Sequence, residues 1–327
     1  MTRVVEVRTG ARLHFGLFAT TPGDGPFGGI GMMIDRPRFA LQAWRSQRDQ
    51  VIGPMPISDR VAEFVARVRL GMRRPAVRYQ VEQPSAPVAI RVAEVIPSHR
   101  GFGSGTQLAY AVAAVVGRVL DVWPPFMPDH ELGRGKRSAV GTRGFQEGGF
   151  VVDAGIRRRA GLETGVACRK VPSEWRFVVV DPQGRVGPSG MAETSGFAAL
   201  PPMPRNMPQL LLDLVATTIL PGLDDADFLR FARGVAEFNR LVGEHFAPVQ
   251  GGVYAHPLIR ELSQRLAETS WPHLAQSSWG PAAVVFCESD ESARTLVAFL
   301  GRQITPDQAS VFVAAAKNDG AEIREIG

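Results

Sequence analysis

One stretch constrains the fold more than any other: Pro97-Ser98-His99-Arg100-Gly101-Phe102-Gly103-Ser104-Gly105-Thr106-Gln107. An alternating apolar segment, residues 88–95, precedes it. A helical pattern follows, with Leu108, Val112, Val115, Val116 and Val119 on one face. Gly101, Gly103 and Gly105 let the backbone approach a ligand closely. The start of the next helix offers unpaired amides and the positive end of its dipole. Ser104 and Thr106 add hydroxyl donors, so the loop suits a phosphate or diphosphate. It is not a Walker loop, because no Gly-Lys-Ser/Thr follows, and no acidic partner of a dinucleotide site is evident. A tight turn ahead of a capped helix would use the same residues, so the loop alone does not decide function.

At 327 residues the chain holds one large or two ordinary domains, and 45% hydrophobic with 21% charged residues is ordinary for a globular protein. Such a chain needs no staples. Cys168 and Cys287 match no metal or redox spacing; Cys287 ends an apolar run and reads as core. No disulfide is expected. The N-terminal residues show no charged head followed by an apolar stretch, and the longest apolar run, 108–116, is too short to span a bilayer. The expectation is a cytoplasmic protein without membrane contact.

The net charge of +5 is carried almost wholly by arginine; Lys136, Lys170 and Lys317 are the lysines. Guanidinium forks suit phosphate and carboxylate groups. Arg134, Lys136, Arg137, Arg143, Arg157, Arg158 and Arg159 face only Glu147 and Asp153 in their stretch. This is either a solvated surface or a docking site for a polyanionic small ligand. Nucleic acid fits less well, because no aromatic interleaving or binding motif accompanies the charge.

Periodicity predicts strands at 4–8, 77–81, 88–95, 150–152, 177–181, 282–287 and 311–315, and a strand pair in 30–44. Helices are expected at 59–70, after the glycine loop, at 129–133, 209–220, 224–246, 256–268 and 290–300. Residues 22–29, 123–128 and 138–149 read as glycine- or proline-rich breaks, and 200–208 as an extended connection. Strands and helices do not alternate regularly, so the class is α+β in two lobes, residues 1–170 and 171–327.

The Pro-x-x-x-Gly-x-Gly-Ser loop resembles the central motif of the GHMP-kinase superfamily. Ala11-Arg12-Leu13-His14-Phe15-Gly16-Leu17 resembles its N-terminal motif, and Ala275-Gln276-Ser277-Ser278-Trp279-Gly280-Pro281-Ala282 its glycine-rich C-terminal one. Within that superfamily the chain is most similar to the β-ribofuranosylaminobenzene 5′-phosphate synthase family. That likeness rests on residues 12–17, Gly28-Gly29-Ile30-Gly31, 101–108, 133–142, 145–155, 246–252 and 276–281. The resemblance implies a two-lobed GHMP-kinase-like fold, with helices packed on an antiparallel sheet in the C-terminal lobe. It implies a decarboxylating phosphoribosyl transfer from 5-phosphoribosyl 1-diphosphate to 4-aminobenzoate or 4-hydroxybenzoate, in tetrahydromethanopterin synthesis. It also implies a homodimer that uses Mg²⁺ and no ATP.

Two departures separate the chain from kinases of the superfamily. Gly141, in Ser138-Ala139-Val140-Gly141-Thr142, stands where such kinases often carry an aspartate, and no carboxylate lies between Arg137 and Gln146. Gly105 replaces the second loop serine, which leaves Thr106 to hold a metal. For the transferase, the diphosphate is assigned to Gly101, Phe102, Gly103, Ser104, Gly105 and Thr106. Arg137 and Arg12 are assigned to phosphate or carboxylate, and Glu147 and Asp153 to the metal or to the sugar's developing positive charge. Ser104, Thr106 and Glu147 form the expected Mg²⁺ set; His14, Gln276, Ser277, Ser278 and Trp279 are the expected substrate contacts. Each has a plainer reading: a packed histidine, a turn aspartate at Asp153, a core tryptophan. The competing functions are an ATP-dependent small-molecule kinase and a non-catalytic anion binder.

Overall fold

The computed structural model describes residues 3–19, 27–72, 86–121, 129–135, 137–157, 163–184, 187 and 191–326. The strand expected at 77–81, the break at 123–128, most of the turn at 22–29, and Lys136, Arg158 and Arg159 lie outside the described residues, as does the side chain of Arg157.

The first half of the chain contains β1 (Val4–Ala19), β2 (Phe27–Arg45), β3 (Gln50–Ile52), α1 (Ile57–Met72), β4 (Val88–Glu94), α2 (Ser104–Val119), α3 (Asp129–Leu132), α4 (Val140–Glu147), β5 (Phe150–Arg157) and β6 (Glu163–Arg169). Then follow β7 (Arg176–Pro182), α5 (Met191–Ala198), α6 (Met207–Leu214), a π-helical turn at Val215–Ile219, α7 (Leu220–Asp224), α8 (Phe228–Gln250) and α9 (Pro257–Leu266). The chain closes with β8 (Leu274–Gln276), β9 (Ala283–Cys287), α10 (Asp290–Leu300), β10 (Ala309–Ala315) and β11 (Glu322–Ile326).

Among the described residues, one sheet runs β11-β1-β2-β4-β3 with β5 and β6 branching from β2, and a second runs β10-β7-β9-β8. All pairings are antiparallel except β3 with β4. The expected α+β class therefore holds. Several expected elements change. The strand pair at 30–44 is one long strand, which pairs with β1 along nearly its whole length on one edge and with β5 (at 29–32) and β4 (at 40–45) on the other. The glycine-rich 138–149 segment contains α4. A further strand follows the one expected at 311–315: β11 returns to β1 and closes the first sheet. Buried Glu6 ties that closure, accepting from Arg324 Nε at 2.8 Å and Gln42 Nε2 at 3.0 Å. Residues beyond 170 thus complete the first sheet.

The core explains where the loop sits. α2 is buried nearly all round, from Leu108 to Val119, because Ala109, Ala111, Ala113, Ala114 and Gly117 let neighbours approach closely. Such a helix has one free end to offer, its N-terminus, and the glycine loop delivers that end to the surface.

Candidate active site

Three motifs far apart in sequence interlock around a cleft of about 990 Å³. Gly103, in the left-handed region at φ 67°, precedes α2, and no side chain caps the helix. Thr106 and Gln107 amides already donate to the Gly103 carbonyl. The amides of Ser104 and Gly105 come before the first intrahelical bonds, and both residues line the cleft. Arg12 packs across the loop: its amide donates to the Phe102 carbonyl, and a Cβ on Gly103 would lie 2.7 Å from Arg12 Nε.

The C-terminal glycine turn holds the loop from the other side. The Ser277 hydroxyl accepts from the His14 amide at 2.9 Å and donates to the Gly101 carbonyl at 2.6 Å. Ser278 N donates to the His14 carbonyl, and Ala282 N to that of Arg100. A Cβ on Gly101 would lie 2.6 Å from the Ser277 carbonyl oxygen, and one on Gly280 would overlap the Gly101 nitrogen. Only glycine permits that crossing. Asn239 on α8 completes the knot, donating to Phe15 and Gln276 carbonyls and accepting from Gln276 N at 2.8 Å.

Four guanidinium groups line the cleft: Arg12, Arg60, Arg134 and Arg137. Arg12 Nη1 donates to Ser278 Oγ at 3.2 Å, Arg60 to Ser98 Oγ, and Arg134 lies over the Phe64 ring at 5.1 Å. Burial lowers the pKa of Arg60, though it remains a cation at any physiological pH. Arg137 stacks over Phe197 at 4.1 Å; Phe197 stacks on Trp279 at 4.9 Å and 19°, and Phe246 meets both edge-on. The cleft thus has an anion wall and an aromatic wall. No aspartate or glutamate lines it among the described residues.

Those positions revise the expected site. Gly101, Gly103, Ser104, Gly105, Thr106, Arg12, His14, Arg137, Ser278 and Trp279 come together as expected. Phe102 lines the cleft, but its side chain is buried against Phe312 and anchors the loop. Ser277 is fully buried and is a strut, not a substrate contact. Gln276 also lines the cleft as expected, while its side chain accepts from Ala255 N at 2.6 Å and donates to the Ser278 carbonyl at 2.7 Å.

Neither expected catalytic carboxylate reaches the cleft. Glu147 is at the exposed far end of α4, paired with Arg143 at 3.0 Å, and accepts from the Cys168 thiol. Burial, then that carboxylate, pushes Cys168 up to about 12, which leaves an inert thiol. Asp153 is fully buried on β5 and accepts from Ala139 N at 2.7 Å and Gly155 N at 2.9 Å, so it shapes the approach to α4. The Ser104, Thr106 and Glu147 metal set is accordingly not assembled. No group of three or more His, Cys, Asp or Glu side chains placed to hold a metal ion occurs among the described residues. A donor set of neutral hydroxyls does not fit a protein-held Mg²⁺, which ordinarily takes one or two carboxylates.

Arg60, Phe197 and Asn239 have no place in the sequence reading, whereas Arg134 belongs to the basic stretch expected to meet a polyanionic ligand. Asn239 had a signal: it falls four residues after Val235 on the buried face of α8, an amide on an apolar stripe. His14 is buried; burial and then Arg12 hold its pKa well below 6.5. Arg100, also in the loop, is anchored elsewhere, donating to Asp181 Oδ1 at 2.8 Å on β7. Desolvation raises Asp181, with Arg100 opposing. No described helix is long and apolar enough to cross a membrane.

No family model matches the chain. It is 24% identical over 96% of its length, and 97% of theirs, to the β-ribofuranosylphenol 5′-phosphate synthase of Methanothermobacter thermautotrophicus. It is 23% identical to the enzyme of the same name from Methanocaldococcus jannaschii, over 86% and 88% of the two chains. Among solved structures, mevalonate diphosphate decarboxylase of Staphylococcus aureus superposes with a TM-score of 0.67 at 13% identity, covering 99% and 98% of the two chains. Homoserine kinase of Cytophaga hutchinsonii gives 0.65 at 14%, over 98% and 97%. The chain therefore has the GHMP-kinase fold shared by those two enzymes, and in sequence it is similar, over most of its length and theirs, to the archaeal β-ribofuranosylphenol 5′-phosphate synthases.

Proposed function

We propose that the protein joins the ribose of 5-phosphoribosyl 1-diphosphate to a para-substituted benzoate, releasing diphosphate and carbon dioxide. The observation that carries the proposal is a cleft lined by Arg12, Arg60, Arg134 and a helix N-terminus on one side and by stacked aromatics with Arg137 on the other, with no carboxylate among its described lining residues. The product for which the relatives are named, a ribofuranosylphenol phosphate, favours 4-hydroxybenzoate as acceptor; 4-aminobenzoate has the same shape.

The chemistry asks little of acids or bases. The ring carbon bearing the carboxylate attacks ribose C1. The C1–O bond breaks, and its electron pair leaves on diphosphate. The ring intermediate is then a cation carrying a carboxylate; its C–C bond breaks, carbon dioxide departs, and that electron pair restores aromaticity. No proton moves, so no general base is required. The chain's task is electrostatic: Ser104 and Gly105 amides with Arg12, Arg60 and Arg134 meet the charge that grows on diphosphate. Phe197, Trp279 and Phe246 hold the ring, and Arg137 lies beside them. Magnesium enters this reading only as an ion carried on the diphosphate's own oxygens.

The test is product analysis with carboxyl-labelled 4-hydroxybenzoate and 4-aminobenzoate, phosphoribosyl diphosphate and Mg²⁺. Equal amounts of labelled carbon dioxide and diphosphate without ATP are expected. Phosphate transfer from ATP to a small alcohol, with no release of carbon dioxide, would replace this reading by the kinase one.

A further inference from the structure

A serine and a histidine meet on the cleft wall: His14 Nε2 lies 3.3 Å from Ser138 Oγ. Such a pair suggests a nucleophile and its base. Local backbone geometry excludes that role. β1 carries a bulge between His14 and Gly16, and there the Gly16 amide donates to His14 Nδ1 at 3.3 Å. Nδ1 therefore presents its lone pair, and the neutral ring carries its proton on Nε2. A base acting on Ser138 would need the opposite tautomer. Protonating Nδ1 would set two N–H groups against each other. Burial of the ring, with Arg12 nearby, keeps it neutral as well. Gly29 makes room for this ring: a Cβ there would lie 2.8 Å from His14 Cε1.

With the tautomer fixed, His14 Nε2–H donates to Ser138 Oγ. The same oxygen accepts from Val140 N at 3.2 Å. A hydroxyl oxygen has two lone pairs, and both are now used. Cβ and the two incoming hydrogens occupy three tetrahedral directions, so the hydroxyl's own proton takes the fourth. Ser138 is part of the cleft lining. We propose that Ser138 is a dedicated hydrogen-bond donor to an anionic oxygen of the substrate, aimed by His14 as a positioning residue.

The surroundings fit an anion at that point. Ala139 N is held by Asp153, which fixes the turn into α4. A Cβ on Gly141, in the first turn of α4, would lie 3.1 Å from Thr106 Cγ2 in the first turn of α2. Two helix N-termini thus converge beside Ser138, and Arg137 precedes it in the chain. The anionic oxygen belongs to a substrate phosphate or to the benzoate carboxylate, which offer the same chemistry. The proposal rests on the phosphoribosyl-transfer reading for its ligand.

The experiment compares wild type, Ser138→Ala and Ser138→Thr by calorimetry with inorganic diphosphate, phosphoribosyl diphosphate and 4-hydroxybenzoate, and by steady-state kinetics. Ser138→Ala should weaken one class of anion roughly 10- to 100-fold, the usual weight of a hydrogen bond to a charged group. Ser138→Thr, which keeps a hydroxyl, should restore most of the affinity. Loss confined to the diphosphate compounds identifies phosphate as the acceptor; loss confined to the benzoate identifies the carboxylate. Equal affinity of wild type and Ser138→Ala for all three ligands overturns the donor while leaving the transferase intact. A kcat lower by about 1,000-fold or more with unchanged affinities would make Ser138 a nucleophile and also overturn it. If wild type binds diphosphate but turns nothing over, and Ser138→Ala loses that binding, the transferase reading fails and the donor stands.

Discussion

The two walls of the cleft are built from different materials. The anion wall is backbone crossing backbone: the Gly101 loop, β1 at His14 and the turn at Gly280 come so close that several added Cβ atoms would collide. The aromatic wall is side chain on side chain, Arg137 over Phe197 over Trp279, carried partly by the short α5. Backbone geometry is rigid and independent of pH, and it fixes where charge is received. Stacked rings are replaceable one at a time, and they select what is received. A single chain can thus hold its anion site constant while its acceptor specificity drifts.

The largest break should come from Gly280→Ala. Its methyl group would overlap the Gly101 nitrogen, which has no room to yield. Diphosphate affinity and activity should both fall by about 100-fold or more, since small misplacements of a preorganised site are costly; calorimetry and turnover read this directly. Ser277→Ala should follow. It removes one hydroxyl that serves two buried groups, so stability should drop by about 1–3 kcal/mol in a denaturant midpoint, with weaker diphosphate binding.

The aromatic wall should respond differently. Phe197→Leu should raise KM for the benzoate by up to about tenfold, the weight of an aromatic pair, and leave diphosphate affinity unchanged. If both ligands weaken equally, the two walls are not separable.

A smaller effect is expected with pH. The native His14 resists protonation, whereas the unfolded chain takes a proton near 6.5, so the unfolded state binds more protons below that value. Stability should therefore be full above pH 6.5 and decline as pH falls from there toward the native value. His245 and His273, also lowered by burial, act in the same direction. In His14→Gln the decline between pH 6.5 and 5 should be shallower than in wild type, at about 1.4 kcal/mol per unit of pKa difference removed. The smallest effect belongs to Glu147→Gln. It breaks one exposed i,i+4 ion pair, so stability should change by no more than about 0.5 kcal/mol, with turnover unchanged. A large loss of turnover would return Glu147 to the active site.

Much of this was legible in the chain. Glycine spacing and apolar periodicity mark the loop and α2, and the sequence motifs place Arg12, Arg137 and Trp279 in the site. What was hidden has a common cause: it depends on pairing across long separations. β11 reads as a short polar tail, and only its pairing with β1 and the Glu6 knot makes it a strand. α4 looks like a glycine break because Gly141 and Gly144 are needed for close approach to Thr106 and Met33, not for flexibility. Glu147 and Asp153 are the carboxylates of the basic stretch, but α4 carries Glu147 to its exposed end and β5 buries Asp153 under Ala139. Phe197 has no local pattern at all; stacking against Trp279 gives it meaning.

The central claim is that this cleft accepts a benzoate and a phosphoribosyl diphosphate together, with arginines and amides meeting the diphosphate. The most direct measurement incubates the protein with phosphoribosyl diphosphate, Mg²⁺ and carboxyl-labelled 4-hydroxybenzoate without ATP, and follows labelled carbon dioxide and diphosphate over time. One carbon dioxide per diphosphate is the expected result, with loss of both in Gly280→Ala. Folded protein that binds diphosphate yet releases no carbon dioxide from either benzoate would contradict it.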